Sequence, residues 1–185
     1  MLRALLAVPV LAAAICLKTV ALAQPIEAPQ RQAAFETMLE DVSRRSRDAA
    51  NDAARVALRQ EVTRRINADG AATATGWVGN VAAVRADSAG NVTVVINLLR
   101  GTALVTNLGD RDGRRIGHPI FPNSPLIDTV GRLRPGQMVR FDGTFYCARR
   151  DGRPTLDCPL NFQPTHEGAL DRPILLIDFR RIAPL

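Results

Sequence analysis

The sequence contains few of the residue types on which many binding and catalytic sites depend. Aromatic residues make up 4% of its 185 positions, and there are two histidines, three cysteines and one lysine, Lys18. Proteins that bind single-stranded nucleic acid stack the bases on exposed aromatic side chains, so the scarcity of aromatics argues against that function. Every basic residue beyond Lys18 is an arginine, and guanidinium groups suit phosphates and carboxylates because their N–H donors form a planar fork.

The motifs of common catalytic and cofactor-binding sites are also missing. The sequence has no G-x-S-x-G turn, no phosphate-binding P-loop, no dinucleotide-binding fingerprint and no calcium-binding loop. His118 and His166 each lie in a proline-containing connection, where a surface role is commoner than catalysis. Carboxylate pairs could serve a small hydrolase, which we keep as the third alternative. The aspartates available for such a pair are Asp110, Asp112, Asp142, Asp151 and Asp157. We predict that the protein is not an enzyme and uses no cofactor and no metal.

The first 23 residues have the three parts of a secretory signal peptide. Met1-Leu2-Arg3 supplies the positive start, Ala4–Leu17 an apolar run, and Ala21-Leu22-Ala23 a small-residue cleavage site. The apolar run is shorter than the roughly 20 residues that a membrane-spanning helix needs, and no later segment is transmembrane. We therefore predict a periplasmic or secreted protein cleaved after Ala23, with an uncleaved anchor or a lipid-anchored start at Cys16 as alternatives. Cleavage lowers the net charge of +6 by the two charges of Arg3 and Lys18.

Cys147 and Cys158 are the two cysteines that remain after cleavage. Paired cysteines of exported chains usually form structural disulfides. Ten intervening residues do not make a redox motif, and a zinc site would need two further ligands that His118 and His166 are not spaced to supply. We predict a disulfide that closes a turn-rich loop, worth about 3 kcal/mol by the loop-entropy argument. A metal site and free thiols are the alternatives.

The segment after a short flexible leader, residues 24–30, is predicted to be helical over residues 31–69. Apolar residues recur there at helical spacing: Phe35, Met38, Val42, Ala49, Ala53 and Val56, then Leu58, Val62 and Ile66. No proline or glycine intervenes before Gly70. This pattern predicts a long amphipathic helix, with a possible single break near Ala54 where the apolar stripe shifts. The mixed charges favour packing on protein over lying on a membrane.

Residues 70–185 change to the two-residue period of strands. We predict five strands with one short helix between the third and fourth strands. The strands are 76–86, 92–98, 102–108, 137–148 and 174–182, and the helix is 126–133 with Ser124 as its cap. This order is that of an OB-fold, a small, partly open Greek-key barrel. Gly76, Gly79 and Gly143 fit the sharp bends of such strands.

Three stretches carry a resemblance to a known group of proteins. They are "GWVGNVAAVRADSAGNVTVVINL", "SPLIDTVGRLRPGQMVRFDGTF" and "ILLIDFRRIAPL". Their strand and turn pattern resembles that of bacterial secreted OB-fold proteins with an amino-terminal helical segment, and the resemblance covers roughly residues 74–185. It implies the fold class α+β, mostly β, with a five-stranded OB-like barrel after a long helix. It implies no particular activity, because OB-folds carry unrelated functions.

The candidate binding site follows from where OB-folds hold ligands, which is the face of strands two and three, edged by the loops between strands one and two and between strands four and five. The predicted ligand-binding residues are Arg100, Arg111, Arg114, Arg115, Arg149, Arg150 and Arg153. Solvated charged loops without a ligand are the alternative. We predict a non-catalytic exported binding module whose ligand is a protein or an anionic cell-envelope component. An oligonucleotide or other polyanion is the alternative ligand, and an open strand edge could also pair with a partner strand.

Overall fold

The computed structural model describes residues 27–68, 73–109, 115–145, 149–150, 153–154, 170 and 173–185. The predicted signal peptide, Cys147 and Cys158 lie outside these residues, so cleavage, export and the disulfide stay predictions. Arg111, Arg114 and His166 lie outside them as well.

Two helices, not one, form the amino-terminal part of the described chain. Helix α1 spans Gln30–Arg47 and helix α2 spans Asp52–Ala68. The predicted helical segment is therefore divided once, by a break at residues 48–51, which lies before the expected point near Ala54. The Asn51 side chain explains its position, since it accepts a hydrogen bond of 3.0 Å from the Ala54 backbone N–H. Asparagine in this role favours a new helix start. Neither described helix is both long and apolar enough to cross a bilayer.

Most of the remaining described residues form strands. The strands are β1 (Thr73–Ala86), β2 (Val92–Asn97), β3 (Ala103–Val105), β4 (Asn107–Gly109), β5 (Arg115–Gly117), β6 (Met138–Phe145), β7 (Arg149–Arg150), β8 (Arg153–Pro154) and β9 (Ile174–Pro184). Five of them close a barrel in the order β1-β2-β3-β9-β6. The β3–β9 pair is parallel and the other neighbours are antiparallel. This mixed, mostly β arrangement is consistent with the OB-like barrel predicted from the sequence.

The predicted third strand, 102–108, is divided at Thr106. The Thr106 backbone N–H donates to the Val94 carbonyl, and its hydroxyl accepts from the Val94 N–H, each at 3.2 Å. A side chain thus takes the place of a backbone partner, and β4 pairs with β5 in a separate hairpin. Gly117 of this hairpin lies so close to the barrel that an added Cβ would come 2.9 Å from Leu176 Cδ2. The hairpin therefore covers part of the outer barrel surface beside β9.

Glycine residues allow the close approach of strands around the barrel. A Cβ at Gly79 would lie 2.5 Å from Ile96 Cγ2, and one at Gly143 would lie 2.8 Å from the Asp178 carbonyl oxygen. Gly76 has a φ of 66° at a register shift between β1 and β6, and its N–H donates to Asp142 Oδ1 at 2.6 Å. The three glycines expected at barrel bends therefore occupy positions that a larger side chain would disrupt.

Helix α1 packs on the barrel of its own chain. Phe35 stacks on Phe145 with ring centroids 5.4 Å apart and lies 5.1 Å from Trp77. Leu39 and Val42 join the same buried cluster as the inward-facing strand residues. One hydrophobic core therefore unites α1 with the barrel, which the sequence left open.

The short helix α3, Ile127–Val130, lies between β5 and β6. It is shorter than the predicted 126–133, and the prediction of Ser124 as its cap is wrong, because Leu126 holds the N-cap position and no side chain caps the helix. The Ser124 hydroxyl instead accepts from the Leu126 N–H at 3.2 Å in the preceding turn. Val130 and the following Leu133 are buried in the common core. The last residue of α3 and a residue just beyond it thus both contribute to the core.

Candidate functional site

A cleft of about 340 Å³ lies between α1 and the turn that joins β2 to β3. Charged side chains of both signs line it, with Glu36 and Glu40 from α1 and Arg100 from the turn. Pro173, which directly precedes β9, closes another side. Cavities of this volume lie at the lower end of the range for small-molecule sites.

One wall of the cleft is held by a buried polar chain that runs along α1. Both ends of the Gln32 side-chain amide bond the Val78 backbone, donating to its carbonyl and accepting from its N–H, each at 2.7 Å. Strand β2 pairs with β1 only from Asn80 onward, so the amide replaces a strand partner where β2 has ended. Gln32 also donates to Glu36 Oε1 at 2.7 Å. The side chain satisfies backbone groups that would otherwise be buried without partners.

Glu36 extends this chain to the β2–β3 turn. Its Oε2 accepts a hydrogen bond of 2.6 Å from the Arg100 backbone N–H, and Glu36 is only 2% exposed. Burial of a carboxylate is costly unless its oxygens are hydrogen-bonded, and here both are. Glu36 therefore ties α1 to the turn and fixes the width of the cleft.

Arg100 is the one predicted site residue whose side chain the structure describes. Its guanidinium donates to Glu40 Oε2 at 2.7 Å, and the two side chains are 49% and 61% exposed. An ion pair so exposed contributes little stability, which leaves the guanidinium available to a competing anion. Arg100 thus contacts a helix that was not predicted to form part of the site.

The other predicted arginines lie in small hairpins. Arg115 pairs with Gly109 in the β4–β5 hairpin. Arg149 pairs with Pro154 and Arg150 with Arg153 in the β7–β8 hairpin, which belongs to the connection between β6 and β9 as predicted. The structure brings Arg150 and Arg153 together as cross-strand partners.

The β6–β9 connection returns to the barrel beside the cleft. Ile174 pairs with Ala103, the first residue of β3, and the Ala103 N–H donates to the Pro173 carbonyl at 3.2 Å. The end of the arginine-bearing connection, the β2–β3 turn and α1 therefore meet at one place.

Asp142 is the one carboxylate considered for catalysis that lies in the described residues, and its oxygens have other partners. Asp142 accepts the Gly76 N–H and pairs with Arg181 Nε at 2.8 Å, so it holds a β-bulge. Burial raises the pKa of Asp178 above its ordinary value, while the charge of the exposed His118 acts in the opposite direction. The described part of the chain has no cluster of three potential metal ligands.

Aromatic side chains in the described residues are mostly internal. The buried ones are Phe35, Trp77, Phe141, Phe145 and Phe179. Phe121, which is 50% exposed, is the exception in this part of the chain. A single exposed ring provides a weak platform for stacking successive bases.

The sequence analysis missed Gln32, Glu36 and Glu40. Their spacing of four residues places them on one side of α1, next to the apolar positions of Phe35, Leu39 and Val42. The four-residue spacing could have been noticed in the sequence. A helix that packs only through its apolar face does not require a regular series of polar residues, so such a series suggests a specific contact. What the series contacts could be seen only in the folded chain.

No family model matches the chain, and no curated protein or solved structure is significantly similar to it.

Proposed function

We propose that the protein is a non-catalytic binding module of the OB-fold type that acts outside the cytoplasm. The support for this fold type is the barrel order β1-β2-β3-β9-β6 with a parallel β3–β9 pair and with α3 before the fourth barrel strand. The proposed ligand is a protein or an anionic component of the cell envelope.

The observation that carries the proposal is the cleft between α1 and the β2–β3 turn. OB-folds hold ligands on the face of strands two and three, edged in part by the loop between strands four and five. In this chain that loop is the β6–β9 connection, and its last residue, Pro173, lines the cleft together with Arg100. A ligand in the cleft would contact the turn, the helix and the connection together.

A pull-down from the envelope of the producing organism tests the proposal. The bait is the chain from residue 24, compared with a variant carrying Arg100→Ala and with the triple variant Arg149→Ala, Arg150→Ala and Arg153→Ala. The matched control removes three exposed arginines elsewhere, Arg85, Arg132 and Arg134. We expect both site variants to recover less of a specific partner than the control does. Equal recovery by all baits would contradict the proposed site.

An oligonucleotide or polyanion ligand is the second candidate, favoured by the pairing of Arg150 with Arg153 in one hairpin. Binding to single-stranded DNA should then weaken steeply with added salt. We expect weak binding, because only Phe121 among the described aromatic residues is well exposed. Submicromolar affinity for a mixed-sequence oligonucleotide at physiological salt would favour this candidate over the first.

A further inference from the structure

Three arginines lie together on the outer surface of the barrel, on strands β6 and β9. Arg140 is exposed between the buried residues Val139 and Phe141, so its side chain points outward. Arg180 and Arg181 are both exposed as well, although they are consecutive in the chain. We call Arg140, Arg180 and Arg181 the arginine face.

A β-bulge explains how two consecutive residues point to the same side. Asp142 pairs with Arg181, whereas the next residue, Gly143, pairs with Phe179. Arg180 is therefore the extra residue of β9, and bulges of this kind re-aim side chains. Without the bulge, strand alternation would turn one of the two arginines toward the core.

Arg140 is a close neighbour of this pair. It lies opposite Ala183, two residues beyond Arg181, and diagonal neighbours on adjacent antiparallel strands are about 7–8 Å apart. Arg140 also reaches over β1, since its guanidinium is 4.0 Å from the position of a Cβ built on Gly76. Gly76 and Ala183 are thus small neighbours of Arg140, which lies opposite Val78 on β1.

Asp142 orients Arg181 and neutralises only part of the charge. Asp142 contacts Arg181 at Nε, at 2.8 Å. The Arg181 side chain is 64% exposed, so its terminal N–H groups can contact a ligand. No hydrogen bond or ion pair involves the side chains of Arg140 and Arg180 in the described part of the chain. Asp142 and the partly buried Asp178 are the carboxylates on this side of β6 and β9.

We propose that the arginine face binds an acidic polysaccharide through its sulfate or carboxylate groups. Guanidinium forks recognise such groups through paired hydrogen bonds. The face carries no aromatic ring for stacking of bases. Leu185, which is 53% exposed and whose N–H donates to the Met138 carbonyl at 3.0 Å, borders the face, but one aliphatic side chain gives little apolar area for insertion into lipid. The lack of an aromatic ring on this face and the small apolar area, taken over the described residues 138–145 and 174–185, favour a sugar polymer over nucleic acid or a membrane. The inference rests on the proposed binding function but places the anion on a surface separate from the cleft.

The test measures binding of the chain from residue 24 to heparin as the probe polysaccharide. The face variant carries Arg140→Ala, Arg180→Ala and Arg181→Ala, and the control carries Arg85→Ala, Arg132→Ala and Arg134→Ala, so that both lose three charges. We expect the face variant to bind at least about tenfold more weakly at low salt. The slope of log Kd against log salt should also decrease by about three, one for each lost contact. The control should bind like the unmodified chain.

The outcomes separate this inference from the proposed function. Loss of heparin binding in the face variant, with partner recovery unchanged, supports a polysaccharide site even if the cleft proposal fails. Equal heparin binding by the face and control variants overturns the inference, as does loss only in the variant of Arg149, Arg150 and Arg153. Tighter binding to an oligothymidine strand or to anionic lipid vesicles of equal charge concentration overturns the choice of a polysaccharide. Near-ultraviolet circular dichroism checks that each variant is folded. The face variant should fold, because the three substituted side chains are exposed.

Discussion

At the scale of single residues, two buried polar side chains of α1 connect the helix to the barrel. Gln32 replaces a missing strand partner of Val78, and Glu36 joins that amide to the backbone of Arg100. Both are buried in a surface between helix and barrel that is otherwise apolar. A buried amide or carboxylate contributes only while all its partners are present. The cleft is therefore held open by a small, fully connected hydrogen-bond chain.

The substitution Gln32→Leu should destabilise the protein strongly. It leaves the Val78 N–H and carbonyl and one Glu36 oxygen buried without partners, and each such group costs about 1–3 kcal/mol. We expect the free energy of unfolding to fall by at least about 3 kcal/mol, the lower bound for three such groups, read from urea denaturation. Gln60→Leu, at an exposed position of α2, is the matched control and should change it by less than about 0.5 kcal/mol. Equal effects of the two variants would show that the Gln32 amide does not stabilise the packing of α1 on the barrel.

The substitution Asp178→Asn should stabilise the protein at neutral pH. Because burial raises the pKa of Asp178 above its ordinary value, the ionised carboxylate disfavours the folded state at pH 7. This penalty fades as the pH falls through the raised pKa, since the folded state then takes up a proton before the unfolded state does. At pH 7 the urea midpoint of the variant should be higher than that of the unmodified chain. At about pH 3.5 this difference should be lost.

A lower midpoint at pH 7 would contradict this expectation and would mean that the attraction of His118 outweighs burial. The exposed Asp128→Asn variant is the control for removing one negative charge.

At the scale of elements, the contacts between α1 and α2 are largely electrostatic on their outer side. Arg45 donates to both oxygens of Glu61, at 3.1 Å and 2.9 Å, and Arg65 pairs with Glu61 at 2.8 Å. Asp41 pairs with Arg44 and Arg45 on the same surface. Paired donors of this kind have better geometry than most surface ion pairs. The two helices are thus joined outside their apolar contact by one carboxylate shared between them.

The contribution of Glu61 should depend on pH. Hydrogen bonding to Arg45 lowers the pKa of Glu61 below its ordinary value of 4.5. A depressed carboxyl pKa stabilises the folded state above the unfolded value and loses that effect as the pH falls through the folded pKa. The variant Glu61→Gln should therefore have a lower urea midpoint than the unmodified chain at pH 7. The difference should shrink as the pH falls toward about 2.5.

The same measurement on Glu27→Gln, an exposed position before α1, should show no difference at either pH. A midpoint difference for Glu61→Gln that persists at the acid pH would point to lost packing in place of a lost charge.

At the scale of the whole molecule, α1, α2 and the barrel share one core. Phe35 lies between Trp77 of β1 and Phe145 of β6, and residues of α2 such as Val62 and Ile66 belong to the same buried cluster. Elements that share a core unfold together in small proteins. The amino-terminal helices are therefore part of the folding unit and not an appended segment.

Two optical signals test this unity. The single tryptophan, Trp77, reports on the barrel through fluorescence, and circular dichroism at 222 nm reports mainly on α1 and α2. We expect the two urea transitions to coincide, and Phe35→Ala to shift both to the same extent, at a cost of about 3–5 kcal/mol. Separate midpoints, with helix signal lost while the tryptophan stays buried, would show that the helices are dispensable. Phe121→Ala, at a half-exposed ring, is the control and should leave both transitions nearly unchanged.

The agreement between sequence and structure differs from one element to another for physical reasons. The alternation in β2, where Val92, Val94 and Ile96 face the core, is a local property that the sequence displays directly. The division of the third strand depends on a hydrogen bond from the Val94 N–H to the Thr106 hydroxyl. The residues around Thr106 carry no sequence pattern that predicts this bond. The break between α1 and α2 could be predicted only in part. Asn51 is a residue type that favours the start of a helix, but the residues around it are compatible with a continuous helix.

The sequence by itself determined the approximate positions of the five barrel strands, because burial on one face of a sheet requires a two-residue period. It also indicated that Gly79 and Gly143 have a structural role, and in the folded chain a Cβ at either position would come too close to a neighbouring strand. Only the tertiary structure decided that Gln32 bonds the edge of β1, that Arg100 pairs with Glu40, and that Arg180 and Arg181 share a surface with Arg140. These features depend on strand register and on partners more than forty residues apart. Such pairings are set by how the elements pack, and no short stretch of sequence contains that information.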